Sequence, residues 1–289
     1  MRQFKRRAAQ LQRRKDKKAK KAQGTPIAPS TRTYKPEEKV KVLVAILSLD
    51  GNVHWTIAHQ FGRMIGNSVN PTCPFQFITH VRAGTRPVEY TRNQITDLFM
   101  HETDAQILYM IDNDQVMPDN WWELLGVGGA DIVSATTYCW VGTDYVPGRL
   151  RVNQYAIDEK AECFNIAPPA TKGQPYQVNI VGTGCIAIRR YVFEKLGCAR
   201  ENCKEHKKVD ERPPWYFTEH WDGRHRGSED INFCVNAHKA GFKIAVHPGV
   251  VFGHVKPIDL AQVDQTMRGV LKMKEDGKQH SIEDMKSLG

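Results

Sequence analysis

Four short apolar runs, the first three each followed by a stretch of helical character, most constrain how this chain can fold. The runs are KVKVLVAILSLDG (39–51), PFQFITHVRAG (74–84), AQILYMID (105–112) and ADIVSATTYCW (130–140). Val40 to Leu47 is nearly all β-branched or aliphatic, as a strand covered on both faces requires. Between the runs, 53–65 repeats apolar residues at Ile57, Phe61, Met64 and Ile65, one face of a helix. PVEYTRNQITDLFMHETDA (87–105) reads as a second helix starting near Thr91, and MPDNWWELLGVGG (117–129) as a third with Pro118 in its first turn. Strands and helices alternating in short steps predict an α/β fold: one Rossmann-like, mostly parallel sheet flanked by helices.

The pattern loosens after Trp140. Residues 141–180 carry Gly, Pro and short β-like pieces, a hairpin or an insertion. A strand and short helix return in QVNIVGTGCIAIRRYVFEKLG (177–197), then a charged aromatic stretch without periodicity (198–228). EDINFCVNAHKAGF (229–242) reads as a helix ended by Gly241, and KIAVHPGVVFGHV (243–255) as a last strand. Three parts follow: a basic tail and Pro/Ser/Thr linker at 1–38, a folded body at 39–257, and a polar C-terminal helix at 258–289.

The net charge of +9 belongs to the tail alone. Residues 1–22 hold eleven Lys or Arg against the single Asp16, and the rest carries 30 basic and 31 acidic residues. A self-repelling tail of this kind suits nucleic acid or an anionic membrane surface, or serves only to solubilise. No apolar run approaches a membrane-spanning length and no signal peptide is evident, so the expected location is the cytoplasm, or the host cytoplasm if the chain is viral. Seven scattered cysteines read as reduced thiols. The sequence is silent on oligomeric state.

Two features carry chemistry. Asp112 and Asp114 stand two apart where the strand 105–112 emerges, so both carboxylates can converge on one hard divalent cation; Asp114 is equally suited to a turn or cap. Glu229 and Asp230 open a helix, where the dipole favours negative charge, and His254 ends a later strand. Cys198, Cys203 and His206, with His220 or His225, form a looser cluster than structural zinc normally takes. Trp215, Tyr216, Trp221, Arg224 and Arg226 offer stacking surfaces for a sugar or a base, or close their loop onto the core.

From Val40 to Lys256 these motifs, in this order, resemble the nucleotide-sugar glycosyltransferases of the A-type fold, close to the broad family-2 group. LSLDGNVH (47–54), YTRNQI (90–95), YMIDNDQVMPDNW (109–121), VGTGCIAIRRYVFEKLG (181–197) and SEDINFCVNAHKAGFKIAVHPGVVFGH (228–254) carry the likeness. It implies a donor nucleotide sugar, a UDP-sugar by preference, held by Ser48, Asp50, Arg92, Asn93, Asp112, Asn113, Gly182 and Gly184. It implies Mn²⁺ or Mg²⁺ on Asp112, Asp114 and His254, and Asp230, or Glu229, as the base that deprotonates an acceptor hydroxyl. Trp221, Arg224 and Arg226 would face the acceptor. Many relatives place a proline where this chain has Ser48-Leu49-Asp50, so Asp50 is expected to supply the base contact made from that loop. The tail extends the expectation to hydroxymethylated DNA bases as acceptor, as in DNA-modifying enzymes of bacterial viruses. A glycan or lipid carrier at a membrane surface, and a non-catalytic nucleotide-binding module, are the competing expectations.

Overall fold

The structure is a computed structural model that describes residues 25–26, 39–48, 50–83, 88–143, 146–158, 163–167, 173–196, 216–221 and 226–255. The basic tail, residues 258–289, and Cys198, Cys203, His206, Trp215, Arg224 and His225 lie outside them.

Five strands run in one direction: β1 (Val40–Ser48), β2 (Phe75–Ala83), β3 (Ile107–Asp112), β5 (Ile132–Thr143) and β14 (Ile244–His254). They are joined by α1 (Trp55–Val69), α2 (Val88–Glu102), the short β4 (Gln115–Val116) and a 3-10 helix, Trp121–Gly126. The insertion after Trp140 is built from β6 (Val146–Val152), β7 (Gln154–Asp158) and β8 (Cys163–Ile166). Next come β9 (Tyr176–Val178), β10 (Ile180–Val181), β11 (Cys185–Arg189) and α3 (Arg190–Leu196). The two-residue strands β12 (His220–Trp221) and β13 (Arg226–Gly227) pair with each other ahead of α4 (Glu229–Lys239).

The main sheet runs β9-β14-β5-β11-β3-β1-β2, with Thr25–Pro26 on the outer edge of β9. It is a mixed, mostly parallel sheet: β11 runs antiparallel to its neighbours β3 and β5, and β9 antiparallel to β14 and to Thr25–Pro26 at the edge. The period-two alternation of β1 divides its side chains between two layers. Leu43, Ala45 and Leu47 pack with Ile95 and Phe99 of α2, Phe193 of α3 and Phe233 of α4. Val42, Val44 and Ile46 pack on the opposite face with Ile57 and Met64 of α1 and with Trp121 and Leu124. Burying each such side chain stabilises by roughly 1.5–3 kcal/mol, so a one-residue slip of β1 would exchange both layers at once.

Local differences from expectation have physical causes. The helix expected from Pro118 is a single 3-10 stretch beginning at Trp121, whose indole stacks on Tyr109 with ring centroids 5.4 Å apart; that packing and the glycines at 126, 128 and 129 end it after six residues. α2 begins at Val88 instead of near Thr91. Its C-terminal carbonyls are gathered by Arg190, which donates to Phe99 O at 2.5 Å, Thr103 O at 2.8 Å and Met100 O at 3.2 Å, a cation at the negative end of a helix. α4 ends before Gly241, at φ +86°, as its position in the sequence predicts. The pairing of β14 with β5 shifts register between His247 and Val251.

Cys185 and Cys234 are buried, and that burial pushes both thiols up to about 12, so they remain protonated and inert. Among the described residues no helix is long and apolar enough to cross a membrane.

Candidate active site

The carboxyl ends of parallel strands are where an open α/β sheet leaves a crevice, and a cleft of about 220 Å³ lies there. Its polar lining comes from five directions: Arg92 on α2, Asp112 at the end of β3 with Gln115 on β4, Thr183 before β11, Asp230 and Glu229 at the start of α4, and His254 at the end of β14.

Arg92 organises the floor. Its guanidinium is 3% exposed and donates from Nη2 to Asp112 Oδ1 at 3.0 Å, from Nε to Glu229 Oε1 at 3.2 Å and from Nη1 to Thr183 O at 3.4 Å. Burial works against its charge, and Asp112, Glu229 and Asp230 outweigh that and hold its pKa above the ordinary value. Burial pushes Asp112 up from the usual carboxylate range; Arg92 opposes the shift and Asp114 adds to it. Glu229 is raised by burial in the same way, opposed by Arg92 and reinforced by Asp230. The expected donor-holding arginine therefore spends its planar fork on two carboxylates of the protein, joining the β3 end to the α4 start.

Asn93, fully buried, also turns inward. Its amide donates to Glu89 O at 2.8 Å and Phe217 O at 2.7 Å, and its oxygen accepts from the amides of Tyr216 at 2.7 Å and Phe217 at 3.0 Å. It pins the segment that leads to β12.

Asp114 and His254 meet. His254 Nε2 lies 2.9 Å from Asp114 Oδ2, and its Nδ1 lies 3.2 Å from Tyr138 O. A carbonyl only accepts, so Nδ1 carries the hydrogen of that bond. Nε2 then faces a carboxylate either as imidazolium or with its lone pair, and in the second state the two atoms present themselves to a shared cation. Pairing of β4 with β14, His254 against Gln115, and the bond from Val255 N to Asp114 O at 2.8 Å fix the two residues side by side. Asp112, the third expected ligand, is turned to Arg92, and among the described residues no group of three or more His, Cys, Asp or Glu side chains is placed to hold a metal.

Asp230 is held through one oxygen. Oδ1 accepts from the Ser228 hydroxyl and from Ile231 N at 2.8 Å. Among the described residues nothing donates to Oδ2, the carboxylate oxygen that the cleft lining can offer to a bound group.

Ser48, Asp50 and Asn113 form a separate polar knot outside the cleft lining. Asp50 accepts from Asn52 N at 3.0 Å and Asn52 Nδ2 at 2.7 Å, bonds that lower its pKa. Ser48 donates to Asn52 O at 2.7 Å, and Asn113 donates to that same oxygen at 3.2 Å and to Ser48 Oγ at 3.3 Å. Asn113 thus latches the β3–β4 turn to the loop after β1, a contact across 61 residues that its sequence neighbours do not announce.

The two glycines of VGTGC make room for protein side chains. A Cβ on Gly182 would stand 1.8 Å from Asn153 Nδ2, and one on Gly184 would stand 3.2 Å from Gln115 Nε2 and 3.4 Å from Asp112 Oδ2. Both glycines permit a close approach, and what approaches is Asn153, Gln115 and Asp112. Trp221 and Arg226 lie on the β12–β13 ladder. Gln115, Thr137, Tyr138, Asn153 and Thr183 line the cleft without having been singled out in the sequence. A polar residue next to Asp-x-Asp, and a threonine between two glycines, were the only signals they gave.

No protein-family description and no curated protein matches this chain. Among solved structures, A197 from STIV is similar at 17% identity over 75% of this chain and 87% of that one, with a TM-score of 0.43. GalNAc-T7, solved with UDP, GalNAc and Mn²⁺, is similar at 14% identity over 78% of this chain, with a TM-score of 0.42. The chain spans 45% of the GalNAc-T7 structure's length. Both overlays are loose, and the function proposed below stands on the side chains of the cleft.

Proposed function

We propose that this chain is a metal-dependent glycosyltransferase that moves a sugar from a nucleotide-sugar donor, by preference a UDP-sugar, to an acceptor hydroxyl. The observation that carries the reading is the pairing of Asp114 with His254 beside the cleft that Asp230 lines from the start of α4, with its Oδ1 held and its Oδ2 bonded to none of the described residues. Among the described residues, Asp112, Asp114, Glu229 and Asp230 stand against a single arginine, Arg92, at this cleft, so a diphosphate is best accepted together with positive charge. Asp114 and His254 suit such a cation: an oxygen and a nitrogen donor, the imidazole oriented by a backbone carbonyl on its other nitrogen. When bound there, Mn²⁺ or Mg²⁺ supplies Lewis-acid neutralisation of the departing nucleoside diphosphate.

The chain's own residues do the rest. Ser228 and the Ile231 amide hold Asp230 Oδ1, which aims Oδ2 at the acceptor hydroxyl. Asp230 takes that proton as the acceptor oxygen bonds to the anomeric carbon and the bond to the diphosphate oxygen breaks, with inversion. Arg92 keeps Glu229 and Asp112 apart from this exchange by holding both.

The acceptor is assigned to a polyanion, hydroxymethylated bases of DNA, on the charge of residues 1–22, which hold eleven of the chain's 41 Lys and Arg. The chain without that tail is expected to lose retention on DNA while keeping donor turnover; retention on anionic vesicles alone would move the acceptor to a membrane carrier.

The decisive measurement is Mn²⁺-dependent release of nucleoside diphosphate from a panel of nucleotide sugars, wild type against Asp114→Ala. Release is expected from wild type and not from the variant. Equal release, or none from the wild type, overturns the proposal; the second result would leave a nucleotide-binding module without turnover.

A further inference from the structure

Resting on the glycosyltransfer reading, a second layer of the cleft has a chemistry of its own. Gln115 and Thr183 are each 2% exposed and line the cleft. Gln115 Oε1 and Thr183 Oγ1 are buried polar atoms with no hydrogen-bond partner. Leaving such an atom unmet is costly, so two of them on residues that line one cleft are hard to account for by packing.

The surroundings of both are fixed. Gln115 Nε2 lies 3.3 Å from Asp114 Oδ1, and a carboxylate there requires the nitrogen on that side, which orients Oε1 as the remaining acceptor. The missing Cβ of Gly184 is what lets the amide lie so close to the turn. Thr183 sits in a turn whose backbone is held at three successive residues. Gly182 N donates to Asn153 O at 3.0 Å, Arg92 donates to Thr183 O at 3.4 Å, and Asp112 N donates to Gly184 O at 3.0 Å. A turn with a backbone group bonded at each of its three residues is built to hold the Thr183 hydroxyl still.

We propose that Gln115 Oε1 and Thr183 Oγ1 form a hydroxyl-reading floor that fixes the sugar ring of the donor. The chemistry selects the ligand group. Oε1 only accepts, so its partner must donate, and Thr183 both donates and accepts; ring hydroxyls satisfy both, whereas phosphate oxygens cannot satisfy Oε1. Gln115 also bonds Asp114, so the same amide links sugar recognition to the carboxylate beside His254.

The test compares binding of UDP with binding of UDP-glucose and UDP-galactose in Mn²⁺, by calorimetry, for wild type, Thr183→Val and Gln115→Met. Thr183→Val keeps the side chain's shape and removes its hydroxyl. The floor predicts a loss of affinity for the preferred sugar nucleotide of about 10-fold or more in each variant, with UDP affinity unchanged for Thr183→Val. It also predicts that Thr183→Val melts no lower than wild type, since a buried unpaired hydroxyl has been removed. A purely structural threonine would lower the melting temperature and leave the ratio of the two affinities alone. A wild type that binds sugar nucleotide, with Thr183→Val and Gln115→Met both retaining its preference over UDP, removes the floor and leaves glycosyl transfer standing. A wild type that binds neither UDP nor the sugar nucleotides removes both.

Discussion

Replacing Arg92 by methionine removes the guanidinium that bonds both Asp112 and Glu229 while keeping most of the side chain's volume. Breaking a buried pair by deleting one partner costs about 3–5 kcal/mol. Here the lower end applies: the Asp112 side chain is 29% exposed and regains water, whereas that of Glu229, at 10%, does not. Urea unfolding followed by tryptophan fluorescence reads this, with a deficit of about 3 kcal/mol moving the midpoint by roughly 1–2 M. The deficit has a pH signature. Asp112 and Glu229 are already raised in the folded protein by burial, with Arg92 opposing. Without Arg92 they rise further, so the folded chain holds protons that the unfolded chain has released. Stability is then fully present below the ordinary carboxylate range and is lost as pH rises through the raised values. The deficit relative to wild type should therefore be larger at about pH 7.5 than at about pH 5. A deficit below about 1 kcal/mol, or one that does not change with pH, would refute the view that Arg92 is held by these carboxylates.

Asn93→Ala should destabilise by about 2–3 kcal/mol, because the Tyr216 and Phe217 amides and Phe217 O lose their partner. Hydrogen exchange at those two amides should accelerate by about 10-fold or more, and unchanged protection would sink the pinning role. Gly182→Ala should displace Asn153, whose Nδ2 would meet the new methyl at 1.8 Å. Asn153 lines the cleft, so donor turnover should fall further than thermal stability does, and a variant with wild-type turnover would show that Asn153 moves aside freely.

Much of the fold was legible because it is written in local periods. Val42 to Leu47 alternate between two helical layers, and the 3.6-residue spacing of Ile57, Phe61 and Met64 marks one face of α1. The reversal of β11 was not, since a five-residue apolar strand reads the same in either direction. At the site, residue types were legible and partners were not. Arg92 and Asn93 sit where a nucleotide-facing pair was expected, yet their partners Glu229 and Phe217 lie 137 and 124 residues on. Asp114 and His254 are 140 apart and do meet, which only the β4–β14 pairing decides. Gln115 and Thr183 are visible only once burial is known, because an unmet hydrogen bond leaves no mark in a sequence.

The register shift in β14 has a consequence for how His254 is aimed. Ala135 and Thr136 are successive on β5, but their partners His247 and Val251 are four apart. Three surplus residues are an odd number, so the strand changes parity across the bulge. Val250 and Phe252 face inward in the second phase, while Val251 and Gly253 face outward, and His254 falls in step with the inward set. The two halves of the strand thus keep separate time: Ile244 to Val246 follow the phase of the first half, while Val250 and Phe252 set the phase that turns His254 into the cleft. Losing any single residue from 248–250 would leave Ile244 to Val246 in register and deliver Val255 where the imidazole now stands.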